Sequence, residues 1–163
     1  MGLPGELSLP LIVHARASGS GSFVVRGLDA SGKETAVLAT ALGAYDGTFA
    51  VGFIDACANP TVGLHVTSTD TWHLDFADAR LAPRYTSGIA GKGDSVLTYL
   101  GKAAAARVDY SGTTPFVVAT YGAGGPKVLV RAPGAYRGTV HLPTGPIFIT
   151  VTAGTAAWSL APA

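Results

Sequence analysis

Residues 18–25 of the chain read Ser-Gly-Ser-Gly-Ser-Phe-Val-Val, and residues 111–118 read Ser-Gly-Thr-Thr-Pro-Phe-Val-Val. A second phrase also occurs twice, as Gly-Ala-Tyr-Asp-Gly-Thr at residues 43–48 and as Gly-Ala-Tyr-Arg-Gly-Thr at residues 134–139. The order and spacing of the two phrases are nearly the same in both copies. Repetition of this kind indicates that one supersecondary unit is used twice.

Each copy closes on a tryptophan followed two residues later by a leucine, at Trp72 and at Trp158. The copies are 93 residues apart at Phe23 and Phe116 but only 86 apart at the tryptophans, because the first copy is longer in between. Insertions are tolerated mainly in connections between elements. The repeated phrases are therefore predicted to lie in strands, and the extra residues near Cys57 in a loop.

Alternation of apolar and polar residues predicts strands over most of the chain. In residues 11–17, Val13 and Ala15 alternate with His14 and Arg16, which is the pattern of a half-buried strand. Glycine, proline and aspartate interrupt such segments at intervals of roughly 8 to 12 residues, as in antiparallel sandwiches and barrels.

We therefore predict an all-β fold of two tandem antiparallel β-sandwich lobes with Greek-key or jelly-roll-like topology. The first lobe spans residues 1–83 and the second residues 84–163, because alternation stops and proline, serine and glycine cluster near residues 82–88. Each lobe alone is close to the lower size limit for a self-sufficient core.

Composition excludes several partners. Charged residues make up 13% of the 163 residues, the formal net charge is +1, and lysine and arginine form no block, so we expect no nucleic-acid partner. No apolar run approaches the roughly 20 residues of a spanning helix, so we expect no membrane span. The lone Cys57 cannot form an internal disulfide.

The first residues carry neither a basic leader nor the apolar stretch of a signal peptide. The sequence therefore leaves the compartment open: the protein either stays inside the cell, leaves it in an assembled particle or has had a leader removed. Of these, an extracellular or particle-surface location is favoured.

The repeated phrases resemble the accessory β-sandwich repeats of bacterial secreted proteins, including those like pre-peptidase C-terminal domains. The resemblance rests on Phe-Val-Val, a glycine-bearing turn, Gly-Ala-Tyr-Xaa-Gly-Thr, an alternating strand and Trp-Xaa-Leu, and it covers most of both copies. It implies a non-catalytic module that binds or supports another component. The chain departs from it in having no acidic calcium-loop cluster.

Aromatic residues are the first candidates for a ligand site. Trp72 and Trp158 lie in phase with the buried rows of their strands, so we predict core positions for both in preference to the alternative of sugar-stacking positions. Tyr45 and Tyr136 are expected either to pack a corner of each lobe through the ring, with the hydroxyl on the backbone, or to form one ligand platform per lobe.

Histidines are the candidates for a polar site. His73 and Asp75 share the solvent face of one strand about 6.5 to 7 Å apart, so they could join one ligand site or simply decorate an exposed sheet. Zinc would need three or four converging ligands. We predict no metal site, no cofactor and no catalytic group, because no nucleophile turn or phosphate loop is complete.

The second copy opens with an alternating segment, residues 94–99, that has no counterpart ahead of Gly2. A missing strand leaves unpaired backbone groups at a sheet edge. We therefore expect the edge of the first lobe to be closed either by residues 94–99 crossing from the second lobe or by a neighbouring subunit.

These features favour a non-catalytic structural or interaction module, of bacterial or phage origin, that joins a larger assembly such as a virion or particle surface. Its partner would be another protein, or the same chain, bound through sheet edges. The alternative is a carbohydrate- or small-ligand-binding sandwich, with a glycan as the possible partner. A hydrolase built from carboxylates brought together by folding is the remote alternative.

Overall fold

The computed structural model describes residues 1–5, 10–53 and 60–163. Cys57 lies outside these residues. The chain divides into two compact units, Met1–Leu81 and Ala82–Ala163. A short 3-10 turn, Ala79–Leu81, ends the first unit. None of the helical structure in the described residues has the length and apolar character to cross a membrane.

The first lobe is a sandwich of two three-stranded antiparallel sheets, with strand orders β4-β1-β6 and β3-β2-β5. Its strands are β1 (Leu11–Ala17), β2 (Ser22–Leu28), β3 (Glu34–Leu42), β4 (Tyr45–Val51), β5 (Gly63–Ser68) and β6 (Trp72–Asp78).

The second lobe has two four-stranded antiparallel sheets, with strand orders β12-β9-β14-β7 and β11-β10-β13-β8. This is the double-sheet order of an eight-stranded jelly roll. The predicted all-β fold of two sandwich lobes is confirmed. The strands are β7 (Ile89–Lys92), β8 (Ser95–Tyr99), β9 (Ala104–Tyr110), β10 (Phe116–Gly122), β11 (Gly125–Ala132), β12 (Tyr136–Leu142), β13 (Ile147–Thr152) and β14 (Ala157–Pro162).

The two lobes share their strand pairing. β1 lies between β4 and β6 just as β9 lies between β12 and β14, and β2 lies between β3 and β5 just as β10 lies between β11 and β13. Tyr45 and Trp72 both pair with Ala17, and Tyr136 and Trp158 both pair with Tyr110. The repeated phrases therefore occupy equivalent register positions in their lobes.

Both copies also carry a β-bulge at the same place. The register shifts after Val25 in the first lobe and after Val118 in the second. The residue skipped at this shift is Leu38 in β3 and Leu129 in β11, and each packs partly buried on its core. A bulge bends its strand and increases the local twist, which helps the sheet to curve over the core.

Local chemistry explains the hairpin between β2 and β3. The Asp29 carboxylate accepts hydrogen bonds from the backbone N–H groups of Ser31 at 2.9 Å and Lys33 at 3.0 Å. Gly32 adopts a φ of 81°, which is strained for residues with a side chain. The turn therefore depends on an Asx interaction and on glycine, as the sequence predicts.

The main difference between the lobes lies at the two positions that β7 and β8 fill in the second. β8 pairs with β13 of its own lobe, so the expectation that residues 94–99 cross to the first lobe is wrong. In the first lobe the chain start takes a small part of the β8 position. Gly2 forms a single bridge to Gly63, and the Met1 ammonium donates to the Leu64 carbonyl at 2.8 Å.

Within the described residues of the first lobe, no strand takes the position of β7. Among the described residues β6 pairs only with β1 in its sheet, so it is an edge strand there. We call the outer side of β6, Trp72–Asp78, the open edge.

Candidate functional site

The open edge presents a defined set of backbone groups. Ser18 N–H donates to the Thr71 carbonyl at 3.0 Å, and Ala79 N–H donates to the Pro10 carbonyl at 3.2 Å. Hydrogen-bonded pairs alternate along an antiparallel ladder, so the odd-numbered residues of β6 face β1. The N–H and C=O groups of the even-numbered residues, Trp72 to Asp78, consequently point away from the sheet.

The equivalent groups of the second lobe are paired. Trp158 lies opposite Gly91 of β7, and Leu160 lies opposite Ile89. The indole N–H of Trp158 donates to the Gly93 carbonyl at 2.8 Å, and its ring is only 4% exposed. β7 therefore covers both the backbone and the side chains of the equivalent edge.

Trp72 lies on the edge that no described strand covers. It takes the register position of Trp158, yet it is 39% exposed, so the prediction that it is a core residue is wrong, whereas the prediction for Trp158 is confirmed. Leu74 and Phe76, which follow Trp72 in the same row, are only half-buried. The apolar side chains in the inner row of β6 are thus partly exposed to solvent.

The outward face of the sheet around β1 carries charged side chains, which we call the charged face. His14 Nε2 lies 2.7 Å from Asp46 Oδ1, Arg16 donates to Asp75 Oδ2 at 3.0 Å, and His73 Nε2 lies 2.8 Å from Asp75 Oδ1. Cross-strand register brings these groups together, since Arg16 lies opposite both Asp46 and His73. The face is exposed, so each pair contributes little stability.

Hydrogen bonds determine the ionisation of the two β6 carboxylates. The bonds from His73 and then from Arg16 hold the pKa of Asp75 below its ordinary value. The side-chain and backbone hydrogen bonds of Arg80 lower the pKa of Asp78 to about 2. Both carboxylates therefore remain charged through the neutral and mildly acidic range.

The structure brings His73 and Asp75 together, as their spacing on one strand face predicts, and it adds His14, Arg16 and Asp46 beside them. Within the described part of the chain, no group of three or more histidine, cysteine, aspartate or glutamate side chains is placed to hold a metal ion. The charged face is chemically suited to charge-assisted hydrogen bonds with another polar surface.

Trp72 does not lie on the charged face. Its side chain belongs to the inner row of β6, whereas those of His73 and Asp75 belong to the outer row, because successive side chains alternate across a strand. The open edge therefore combines an apolar row, a row of backbone hydrogen-bonding groups and a charged row on one strand.

The two candidate tyrosines have different surroundings. Tyr45 is 2% exposed, and its ring centroid lies 5.2 Å from that of Phe23. Tyr136 is half-buried, with its ring centroid 6.3 Å from that of Phe116. Neither ring is laid open on the surface as a broad platform.

One residue difference between the lobes explains why Tyr45 is buried and Tyr136 is only half-buried. The position that pairs with each tyrosine is Ala17 in the first lobe and Tyr110 in the second. Tyr110 stacks on Phe116 with centroids 4.2 Å apart and planes at 7°, and its hydroxyl bonds the Thr114 side chain at 2.7 Å. Tyr136 is thereby kept further out, whereas the small Ala17 leaves room for its counterpart to pack inward.

The second lobe has its own polar depression of about 310 Å³ on the outer side of β9 and β12. It is lined by Arg107, Asp109, Arg137, Gly138 and Thr139. Arg137 donates to Asp109 at 2.6 Å. The same register positions in the first lobe carry His14, Arg16 and Asp46. There the ion pairs are different, because Asp46 contacts His14 and Arg16 donates to Asp75.

Sequence reasoning missed Arg16, Asp46 and Gly91. Arg16 and Asp46 could have been found from the alternation of β1 and β4 once their antiparallel register was known. Gly91 carries no signal of its own, because its importance comes from the tryptophan opposite it in β14.

The chain matches no protein-family model, and no curated protein matches it.

Proposed function

We propose that this chain is a non-catalytic structural and interaction module that joins a larger assembly by accepting a strand from another protein at the open edge of its first lobe. The observation that carries the proposal is the contrast between Trp72, 39% exposed, and Trp158, 4% exposed at the equivalent position under β7. The position of β7 in the second lobe supports this proposal, because β7 covers the edge that corresponds to the open edge.

Three properties of the open edge support strand addition. The outward N–H and C=O groups of β6 supply main-chain hydrogen bonds, which give affinity in β-augmentation. The half-buried inner row of Trp72, Leu74 and Phe76 supplies apolar area. The charged residues His73 and Asp75 can select the partner's side chains on the outer face.

An added strand peptide tests the proposal on the intact protein. A peptide with the sequence of residues 87–94 contains Gly91, which would lie opposite Trp72 as it lies opposite Trp158. We expect millimolar peptide to slow hydrogen exchange at the amides of Trp72, Leu74 and Phe76 and to shift Trp72 emission to shorter wavelength.

The matched control is the same peptide with Gly91→Ile, whose side chain would meet the tryptophan ring. Equal protection by both peptides would show that binding does not use the predicted pairing. Absence of protection with either peptide would count against the edge as an acceptor of strands.

A carbohydrate-binding module is the second candidate, favoured by the exposed Trp72 ring. Aromatic faces stack on sugars, and Trp72 is better presented for this than Tyr45 or Tyr136. A glycan panel probed with the native chain and with Trp72→Ala distinguishes the candidates. Signals lost in Trp72→Ala but unaffected by the strand peptide would favour the carbohydrate function.

A further inference from the structure

The sequence of β6 is complementary to itself when two copies run antiparallel. Reading outward from Leu74, His73 and Asp75 stand on either side, and Trp72 and Phe76 stand beyond them. A twofold axis at Leu74 would set basic opposite acidic and aromatic opposite aromatic. We propose that two copies of this chain dimerise by antiparallel pairing of their β6 strands, centred on Leu74; this rests on the proposed function and names its partner as a second copy.

Backbone geometry restricts the possible registers. Only the even-numbered residues of β6 point their N–H and C=O groups outward, so an even-numbered residue must face an even-numbered one across the new ladder. Twofold axes through residues 73, 74, 75 or 76 satisfy this condition. Isologous pairing of this kind closes on itself and forms a dimer without an open chain of subunits.

Charge selects one of these registers. An axis at Asp75 would set two carboxylates directly opposite each other, and an axis at His73 would set two imidazoles opposite each other. An axis at residue 76 would set Asp75 opposite Ala77. Only the axis at Leu74 sets His73 opposite Asp75 of the second copy, and symmetry makes this pair twice.

The two charged pairs would occupy favourable positions in the ladder. With Leu74 opposite itself, residues 73 and 75 form the non-hydrogen-bonded pairs, in which side chains approach most closely. A carboxylate accepts a hydrogen bond from a neutral or a protonated imidazole. Each Asp75 would then exchange its contact with His73 of its own chain, now at 2.8 Å, for one with His73 of the second copy, while Arg16 of its own chain holds its other oxygen at 3.0 Å.

The inner row would gain cover in the same register. Trp72 would lie opposite Phe76 of the second copy on both sides of the axis, with the two Leu74 side chains between them. Aromatic cross-strand pairs are among the more stabilising contacts of antiparallel sheets. The sheets β4-β1-β6 of two copies would become one continuous six-stranded sheet.

Charge reversal tests the pairing. Sedimentation of the native chain between about 1 µM and 1 mM should show a reversible monomer–dimer equilibrium. His73→Asp and Asp75→His should each raise the dissociation constant about tenfold, because each sets like groups opposite each other in both pairs. An equimolar mixture of the two variants restores Asp opposite His twice, so it should form a heterodimer as tight as the native dimer.

Cysteine cross-linking tests the register in a Cys57→Ser background. Opposed Cα atoms of a hydrogen-bonded pair lie about 5.5 Å apart, within the range that a disulfide spans. Leu74→Cys should therefore oxidise to a covalent dimer. Trp72→Cys and Phe76→Cys should each fail alone, since like positions would lie about 13 Å apart, and should cross-link when mixed.

The outcomes separate this inference from the proposed function. A native chain that remains monomeric to about 1 mM, or a dimer that cross-links in another register, overturns the inference. If the strand peptide of residues 87–94 still protects the open edge in such a monomer, the proposed function stands. If the peptide fails as well, both fall.

Discussion

The ring of Trp158 lies directly against Gly91, so that a Cβ built on Gly91 would come within 2.5 Å of the ring carbon Cζ2. The absence of a side chain at this point of β7 lets the edge strand close over the tryptophan. The same ring position in the first lobe, Trp72, has no such strand over it within the described residues. The contact between Gly91 and Trp158 thus marks the edge that β7 covers in the second lobe.

Substitution of Gly91 tests this closure. We expect Gly91→Val to reduce the free energy of unfolding by about 1 to 3 kcal/mol, because the added side chain must displace the indole of Trp158. Gly124→Ala is the matched control, since a Cβ at Gly124 meets nothing within 4 Å. Urea unfolding followed by circular dichroism measures both, and an equal change in the two variants would refute the account.

The two tryptophans should differ in their contribution to stability. Trp158→Ala removes a 4% exposed side chain and should cost about 3 to 5 kcal/mol of unfolding free energy. Trp72→Ala removes a 39% exposed one and should cost less than half as much. Chemical denaturation at matched low chain concentration makes the comparison. A Trp72→Ala cost equal to that of Trp158→Ala would mean that the ring is covered in solution.

Asp94 should stabilise the second lobe through the turn before β14. Its carboxylate is 4% exposed and accepts hydrogen bonds from the N–H groups of Ala153 at 2.7 Å and Gly154 at 2.9 Å. Asp94→Ala leaves these donors unsatisfied and should cost about 1 to 3 kcal/mol. Asp94→Asn keeps an acceptor oxygen and should cost less. Thermal unfolding of the native chain and of the two variants measures these costs. Identical midpoints for Asp94→Ala and Asp94→Asn would contradict the capping role.

Acid should destabilise the first lobe through Asp78. Its pKa falls to about 2 in the folded chain, below the ordinary value of 3.8, so the unfolded state binds the proton more readily. The contribution is present above about pH 4 and is lost as the pH falls toward 2. Asp78→Asn should therefore have a smaller drop in melting temperature between pH 4 and pH 2 than the native chain. If the melting temperatures of the native chain and of Asp78→Asn fell equally between pH 4 and pH 2, Asp78 would not be the source of the acid sensitivity.

Strand positions were largely predictable because period-two alternation and turn residues are local signals. Residues 11–17 were predicted as a strand and form β1. The start of β3 was not predictable, because its exposed first half carries no apolar row. β7 was not predicted at all, since its four residues, Ile89–Lys92, are too few and too small to show alternation.

The candidate site was predictable only in part. His73 and Asp75 were found because their spacing on one strand is a local property. The exposure of Trp72 could not be predicted, because its own strand resembles that of Trp158. The difference lies in β7, a strand distant in sequence from Trp158. The effect of having Ala17 in one lobe and Tyr110 at the equivalent position in the other could not be predicted either. It depends on which residues strand pairing places side by side.

The matching bulges bear on the history of the chain. Leu38 and Leu129 are the residues skipped at the register shifts after Val25 and Val118, and they stand at equivalent places in the two copies. Bulges are retained within families as inherited geometry. An ancestral unit that already carried the bulge before its gene was duplicated accounts for both positions, so the two lobes are duplicated copies of one unit.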